Sequence, residues 1–168
     1  MTISRILLAD DHELFRDGLA GLINAQPDLE VIAEAGDGLE ALKFARDLKP
    51  DLIVMDINMP ICDGLEATRL ICTELPGSRI VALTVHDEDE KLFAAIKAGA
   101  VGYMLKSTNK RKFLDGIRKA LAGEAALSSK IATRVLDEFS KMMKQSVAIL
   151  TSEEAPDLTL RELDVLQY

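Results

Sequence analysis

The chain has little cysteine, no apolar run of membrane length and no excess of positive charge, and each shortage removes a class of function. Cys62 and Cys72 are its two cysteines. Neither belongs to a C-x-x-C pair or a metal-type cluster, so they make no disulfide framework and read as plain structural thiols. The longest apolar runs, such as residues 52–55 and 80–83, fall far short of the ~20 residues a membrane span needs, and the N-terminus carries no charged-then-apolar signal. A cytoplasmic protein is expected. Lys and Arg number 20 against 28 Asp and Glu, for a net charge of −8. That balance argues against nucleic-acid binding by these residues, because duplex binding relies on lysine and arginine neutralising phosphates.

What is present is a globular balance, 48% apolar and 29% charged, with chain enough for one α/β domain and a tail. Residues 5–9 read as a buried strand followed by Asp10-Asp11. Leu14, Phe15, Leu19, Leu22 and Ile23 recur at helical spacing and predict a helix over 12–25, with Pro27 as its stop. Residues 29–33 give a second strand, and Gly36-Asp37-Gly38 opens a helix to about residue 48, closed by Pro50. The most hydrophobic short strand, 52–55, ends on Asp56; the loop after it leads through Asp63, a plausible N-cap, into a helix to about residue 73. Here Gly64 permits a turn or close packing. A strand over 79–83 ends at Thr84, a helix over 88–98 stops at Gly99, a strand over 101–105 ends at Lys106, and a helix over 109–122 closes the domain.

Five strands separated by helices of crossover length indicate a parallel sheet with helices on both sides. Ligands of such sheets bind outside the carboxyl ends of the strands, where strand order reverses. Asp10-Asp11, Asp56, Thr84 and Lys106 all fall at that edge. Three carboxylates converging in a partly dry cleft repel one another unless a cation holds them or some are protonated. A hard divalent ion resolves this: magnesium suits one or two carboxylates plus waters and phosphate oxygens, with manganese as an alternative, whereas zinc would want histidine or cysteine, which the sequence places poorly. Asp11 and Asp56 are expected as direct ligands, the Asn58 backbone carbonyl as a third, and Asp10 through water. Asp56 is also a candidate nucleophile, since carboxylates form acyl phosphates. Lys106 and Thr84 are the candidate catalytic groups, one a mobile point charge and the other a hydroxyl donor for phosphoryl oxygens.

The runs Leu7-Leu8-Ala9-Asp10-Asp11-His12, Val54-Met55-Asp56-Ile57-Asn58-Met59-Pro60, Ala82-Leu83-Thr84 and Gly102-Tyr103-Met104-Leu105-Lys106 resemble the response-regulator receiver family of two-component systems. The likeness covers about residues 3–122. It implies an α/β, flavodoxin-like (CheY-like) doubly wound sheet of five parallel strands in order 2-1-3-4-5, with helices on both faces and an extra C-terminal linker helix. It also implies a phosphoacceptor, Asp56, supplied by a sensor histidine kinase in a magnesium-dependent reaction. No conventional enzyme is expected, only a receiver that assists its own phosphorylation and dephosphorylation. Thr84 and Tyr103 would form the switch: Tyr103 reads either as core filler or as the aromatic that swings inward when the threonine engages phosphate, remodelling the face around 91–98 and 101–106. Relatives often form homodimers on activation through their first and fifth helices. His12 and His86, though near the site, are read as incidental rather than as phosphohistidines.

Beyond residue 123 a linker is expected over 124–157, with an amphipathic helix at about 128–144 carrying Ile131, Val135, Leu136, Phe139 and Met142 on one stripe. That helix either packs back on its own domain or forms a connector or dimer seam. Residues 146–157 read as exposed linker. The run Leu158-Thr159-Leu160-Arg161-Glu162-Leu163 is similar to the opening of a LuxR-type helix-turn-helix of the NarL/FixJ subfamily, with Thr159 and Glu162 as a capping box. Residues 158–168 would then begin a truncated output domain. Its recognition helix is not among them, so these residues are not expected to read DNA even where the parent protein regulates transcription.

Rival chemistries fit less well. A haloacid-dehalogenase-type phosphatase wants a second acid two residues after its nucleophile, where this chain has Asn58. A P-loop enzyme or a flavodoxin-like electron carrier would not place Asp-Asp-His-Glu after the first strand, because those acids repel phosphate without a metal. The remaining competitor is a docking module in which phosphorylation plays no part.

Overall fold

Alternation along the first strand already sets the layers. Ile6 and Leu8 join one apolar cluster with Ala20, Ile23, Phe113 and Ile117, while Leu7 and Ala9 join another with Ala41, Leu42, Ala67 and Ile71. Period-2 side chains therefore feed two cores, one on each face of a sheet buried on both sides. The computed structural model describes residues 2–153.

Its elements run β1 (Ser4–Ala9), α1 (Glu13–Asn24), β2 (Leu29–Ala35), α2 (Gly38–Leu48), β3 (Leu52–Asp56), α3 (Gly64–Glu74), β4 (Ile80–Thr84), α4 (Asp89–Ala98), β5 (Gly102–Leu105), α5 (Lys110–Leu121) and α6 (Ser129–Glu153). The sheet is parallel throughout in the order β2-β1-β3-β4-β5. This is the CheY-like doubly wound arrangement, with α1 and α5 over one face and α2 and α3 over the other. Every residue of β3 and of β4 is buried, so the strand carrying Asp56 is central and fixed from both sides.

Local chemistry explains the boundaries. Asp37, Asp63 and Asn109 each accept a hydrogen bond from the backbone N–H three residues on, at 2.9, 2.8 and 2.9 Å, and so start α2, α3 and α5. Gly99, at φ +113°, ends α4. At Gly64 a Cβ would collide with the backbone carbonyl of Asp56. Close packing is thus why glycine stands there: α3 begins directly against the strand that carries Asp56.

The first unit runs to Ser128, past the boundary expected at 123. Ala126 explains the difference, since it forms a bridge with Gly102, donating to the Val101 carbonyl and accepting from the Tyr103 N–H. That pairing blunts the edge strand β5.

The second unit begins at Ser129 with α6, which continues past residue 144 to Glu153. Residues 146–153 are therefore helical where the sequence suggests exposed linker after a helix ending near 144. The sequence offers no glycine or proline between Ser129 and Pro156 to stop the helix. The rest of the expected linker and the helix-turn-helix opening at 158–168 lie outside the described residues. No helix among the described residues is long and apolar enough to cross a membrane.

Candidate phosphoacceptor site

Parallel register delivers the site. Leu7, Leu8 and Ala9 of β1 pair with Ile53, Val54 and Met55 of β3, and Asp56 pairs with Leu83 of β4. Asp10, Asp56 and Thr84 consequently emerge at neighbouring strand tips. All three are buried, at 2%, 1% and 0% exposure.

Ligand atoms of Asp10, Asp11, His12 and Asp56 all lie within 4.8 Å of one another. Asp56 Oδ1 accepts from the Asn58 N–H at 3.1 Å, and its Oδ2 accepts from Lys106 Nζ at 3.2 Å. Asp10 Oδ1 accepts from the His12 backbone N–H at 2.8 Å. Asp10 Oδ2 lies 2.7 Å from Lys106 Nζ, an ion pair by distance, yet it makes no properly angled hydrogen bond. The attraction there is one of charge, and a buried carboxylate oxygen keeps unused lone-pair capacity.

Lys106 is the hub. Its side chain is only 10% exposed, and its ammonium lies between Asp10 and Asp56, 3.5 Å from His12 Nδ1 and 4.8 Å from the centre of the Phe15 ring. One ammonium between two buried carboxylates, with the exposed Asp11 beside them, leaves net negative charge at the notch. Burial pushes the Asp56 carboxyl up to about 6; the Asn58 N–H opposes that rise, the Asp10 charge adds to it, and Lys106 opposes it.

Thr84 and Tyr103 meet at one backbone group. The Thr84 hydroxyl accepts from the His86 N–H and donates to the His86 carbonyl, both at 3.2 Å, and Tyr103 donates its O–H to the same carbonyl at 3.3 Å. Tyr103 is fully buried.

Four residues of this neighbourhood escaped the sequence reading. His12, which the sequence marks as no phosphohistidine, has Nδ1 3.2 Å from Asp10 and 3.4 Å from Asp11, so an exposed imidazole nitrogen stands within the cluster. Its position directly after the acid pair was the available signal. Phe15 was counted only as core. Arg16 donates to the Asp10 backbone carbonyl at 2.7 Å, and Lys91 of α4 donates to Asn58 Oδ1 at 3.1 Å. No short motif marks either partner: the Arg16 contact spans six residues across the turn between β1 and α1, and the Lys91 contact joins segments 33 residues apart.

The oxygen-rich donor set fits a hard divalent cation, since the buried Asp10 Oδ2 has coordination capacity to spare and carboxylates outnumber ammonium groups.

Comparison with known proteins shows the family. The family described as "Response regulator receiver domain" matches residues 6–118. The chain is similar to the transcriptional regulatory protein LiaR of Bacillus subtilis (strain 168), with 45% identity over 162 residues, covering 96% of this chain and 74% of that protein. An uncharacterized transcriptional regulatory protein of the same strain, YxjL, is 44% identical over 163 residues, covering 97% of this chain and 73% of its own. Among solved structures, a LuxR-family two-component response regulator from Aurantimonas sp. SI85-9A1 superimposes with a TM-score of 0.77 at 37% identity, over 83% of this chain and 99% of that one. With the acids, the threonine and the lysine at adjoining strand tips of a CheY-like sheet, the chain belongs to the response-regulator receiver family.

Proposed function

We propose that Asp56 is the phosphoacceptor of a two-component transcription regulator, taking its phosphoryl group from a phosphohistidine of a sensor kinase. The observation that carries this is Asp56 itself: a buried carboxylate whose two oxygens are held by the Asn58 N–H and by Lys106, beside two further acids. Asp11, Asp56 and the Asn58 carbonyl would hold Mg2+ or Mn2+ directly, and Asp10 through water. When bound, the cation supplies charge neutralisation on the phosphoryl oxygens.

In the transfer, an Asp56 carboxylate oxygen attacks phosphorus in line. The phosphorus–nitrogen bond breaks, the imidazole of the kinase leaves and takes a proton, and an acyl phosphate remains. Lys106 swings its ammonium from the carboxylates onto a phosphoryl oxygen, remaining above Phe15. Thr84 turns its hydroxyl from the His86 carbonyl to another phosphoryl oxygen. Loss of the phosphoryl group reverses the charge change: water attacks phosphorus, the bond from phosphorus to the Asp56 oxygen breaks, inorganic phosphate leaves with release of a proton to solvent, and the Asp56 carboxylate returns. The receiver thus assists its own modification without being a conventional enzyme.

Thr84 and Tyr103 share the His86 carbonyl as a partner, so moving the Thr84 hydroxyl alters the surroundings of Tyr103. A phosphoryl group adding roughly −1.5 to −2 charge is enough to drive that rearrangement. Residues 1–123 serve as the receiver, with the stretch to 128 completing its compact unit, then a linker to 157 and 158–168 as the start of a LuxR-type DNA-binding domain, in a cytoplasmic protein that forms a homodimer on activation.

Intact mass after incubation with acetyl phosphate and Mg2+ tests the reading. One added phosphate, absent from Asp56→Asn, is expected. Equal labelling of both proteins would place the acceptor at another residue, and no labelling of either would favour a docking module.

A further inference from the structure

The peptide plane joining Asp10 to Asp11 decides which way the Asp11 carboxylate faces, because the two acids occupy a turn between β1 and α1. Backbone bonds hold that turn on one side: the Asp10 N–H donates to the Ala35 carbonyl at 2.9 Å. The other side is held by a side chain. Arg16 NH1 donates to the Asp10 carbonyl at 2.7 Å, while its Nε donates to Glu34 Oε1 at 3.1 Å. The Arg16 side chain is only 18% exposed, and its fork spans an acceptor on the turn and one on β2. An ammonium group could not span both in this fixed geometry.

These bonds do not anchor the helix, since α1 is already fastened to the sheet by Leu19, Leu22 and Ile23. What they add is direction at the acid pair. We propose that Arg16, held by Glu34, is a positioning residue that fixes the Asp10–Asp11 turn in the orientation required to bind the divalent cation. The inference rests on the reading of the acidic notch as a Mg2+ site, and goes beyond it by assigning residues that touch neither cation nor phosphoryl group.

Calorimetric titration of Mg2+ tests it directly, on wild type, Arg16→Ala, Arg16→Lys and Glu34→Ala, each with a thermal melt. Arg118→Ala serves as the control, because Arg118 clamps Asp28 at the opposite edge of the sheet through bonds of 3.1 and 3.0 Å. Arg16→Ala is expected to weaken Mg2+ binding about 10- to 100-fold, as loss of an outer-shell partner does elsewhere. Arg16→Lys should recover part of that loss. Glu34→Ala, which keeps the arginine but frees it, should weaken binding about threefold or more. Arg118→Ala should lower the melting temperature without changing Mg2+ affinity.

Should Arg16→Ala fail to fold, Arg16→Lys and Glu34→Ala carry the test. Wild-type affinity in the Arg16 and Glu34 variants overturns the positioning role while leaving the cation site intact. A wild-type chain that binds no Mg2+ overturns the cation reading and this inference with it.

Discussion

The two ends of the sheet treat charge in opposite ways. At the amino end Arg118 holds Asp28 through both carboxylate oxygens, reaches Gln26 as well, and keeps the Asp28 carboxyl below the usual carboxylate range. That pair is 40% and 33% exposed, so water shares in screening it. At the carboxyl end two buried acids, Asp10 and Asp56, outnumber the lysine between them, and burial carries Asp56 up to about 6. Balanced, wet pairs fasten elements together; unbalanced, dry ones hold charge ready for an incoming ion or phosphoryl group.

Breaking the carboxyl end at its hub should have the largest effect. Lys106→Met is expected to slow labelling by acetyl phosphate at least about 100-fold, the scale for losing one group aimed at developing charge, as followed by intact mass over time. Labelling at the wild-type rate would remove Lys106 from the transfer. Next comes Gly64→Ala, which forces a Cβ onto the Asp56 carbonyl. A loss of about 3 kcal/mol in urea unfolding is expected from overpacking against backbone, and a loss within error would mean that α3 shifts freely.

A pH series separates the two ends further. Asp56 has a folded pKa of about 6, above its unfolded value of 3.8, so the folded chain binds this proton more tightly. Its contribution to stability is fully present below about pH 4 and is lost as pH rises through about 6. Metal-free Asp56→Asn should therefore be more stable than metal-free wild type above pH 7, by on the order of 1–3 kcal/mol. The gap should close toward pH 4, and a gap that widened on acidification would reverse the assignment. The smallest effect belongs to the amino end: Arg118→Ala should cost at most about 1 kcal/mol, because a half-exposed ion pair contributes little. A loss of several kcal/mol there would show that the clamp is no ordinary surface pair.

Much of the fold was legible because its determinants are local. Asp63 stands at the N-cap of α3 and Gly99 at the end of α4, and the apolar runs that end on Asp10, Asp56 and Thr84 are the strands that deliver them. The strand tips were legible too, since a parallel sheet obliges its functional groups to emerge at one edge. What the sequence concealed depends on pairs distant along the chain: Arg16 with Glu34, Lys91 with Asn58, and Phe15 beneath Lys106. The far end of α6 was misjudged for a different reason. Polar residues over 151–154 suggested a linker, but nothing before Pro156 forbids helix.

The central claim is that one buried carboxylate takes the phosphoryl group, and borohydride reduction locates it. Acyl phosphates are reduced to the alcohol, so the phosphorylated chain, reduced and digested, should carry homoserine at position 56 in its mass spectrum. Homoserine at Asp10 or Asp11, or a phosphate resistant to reduction and retained on His12, would contradict the account.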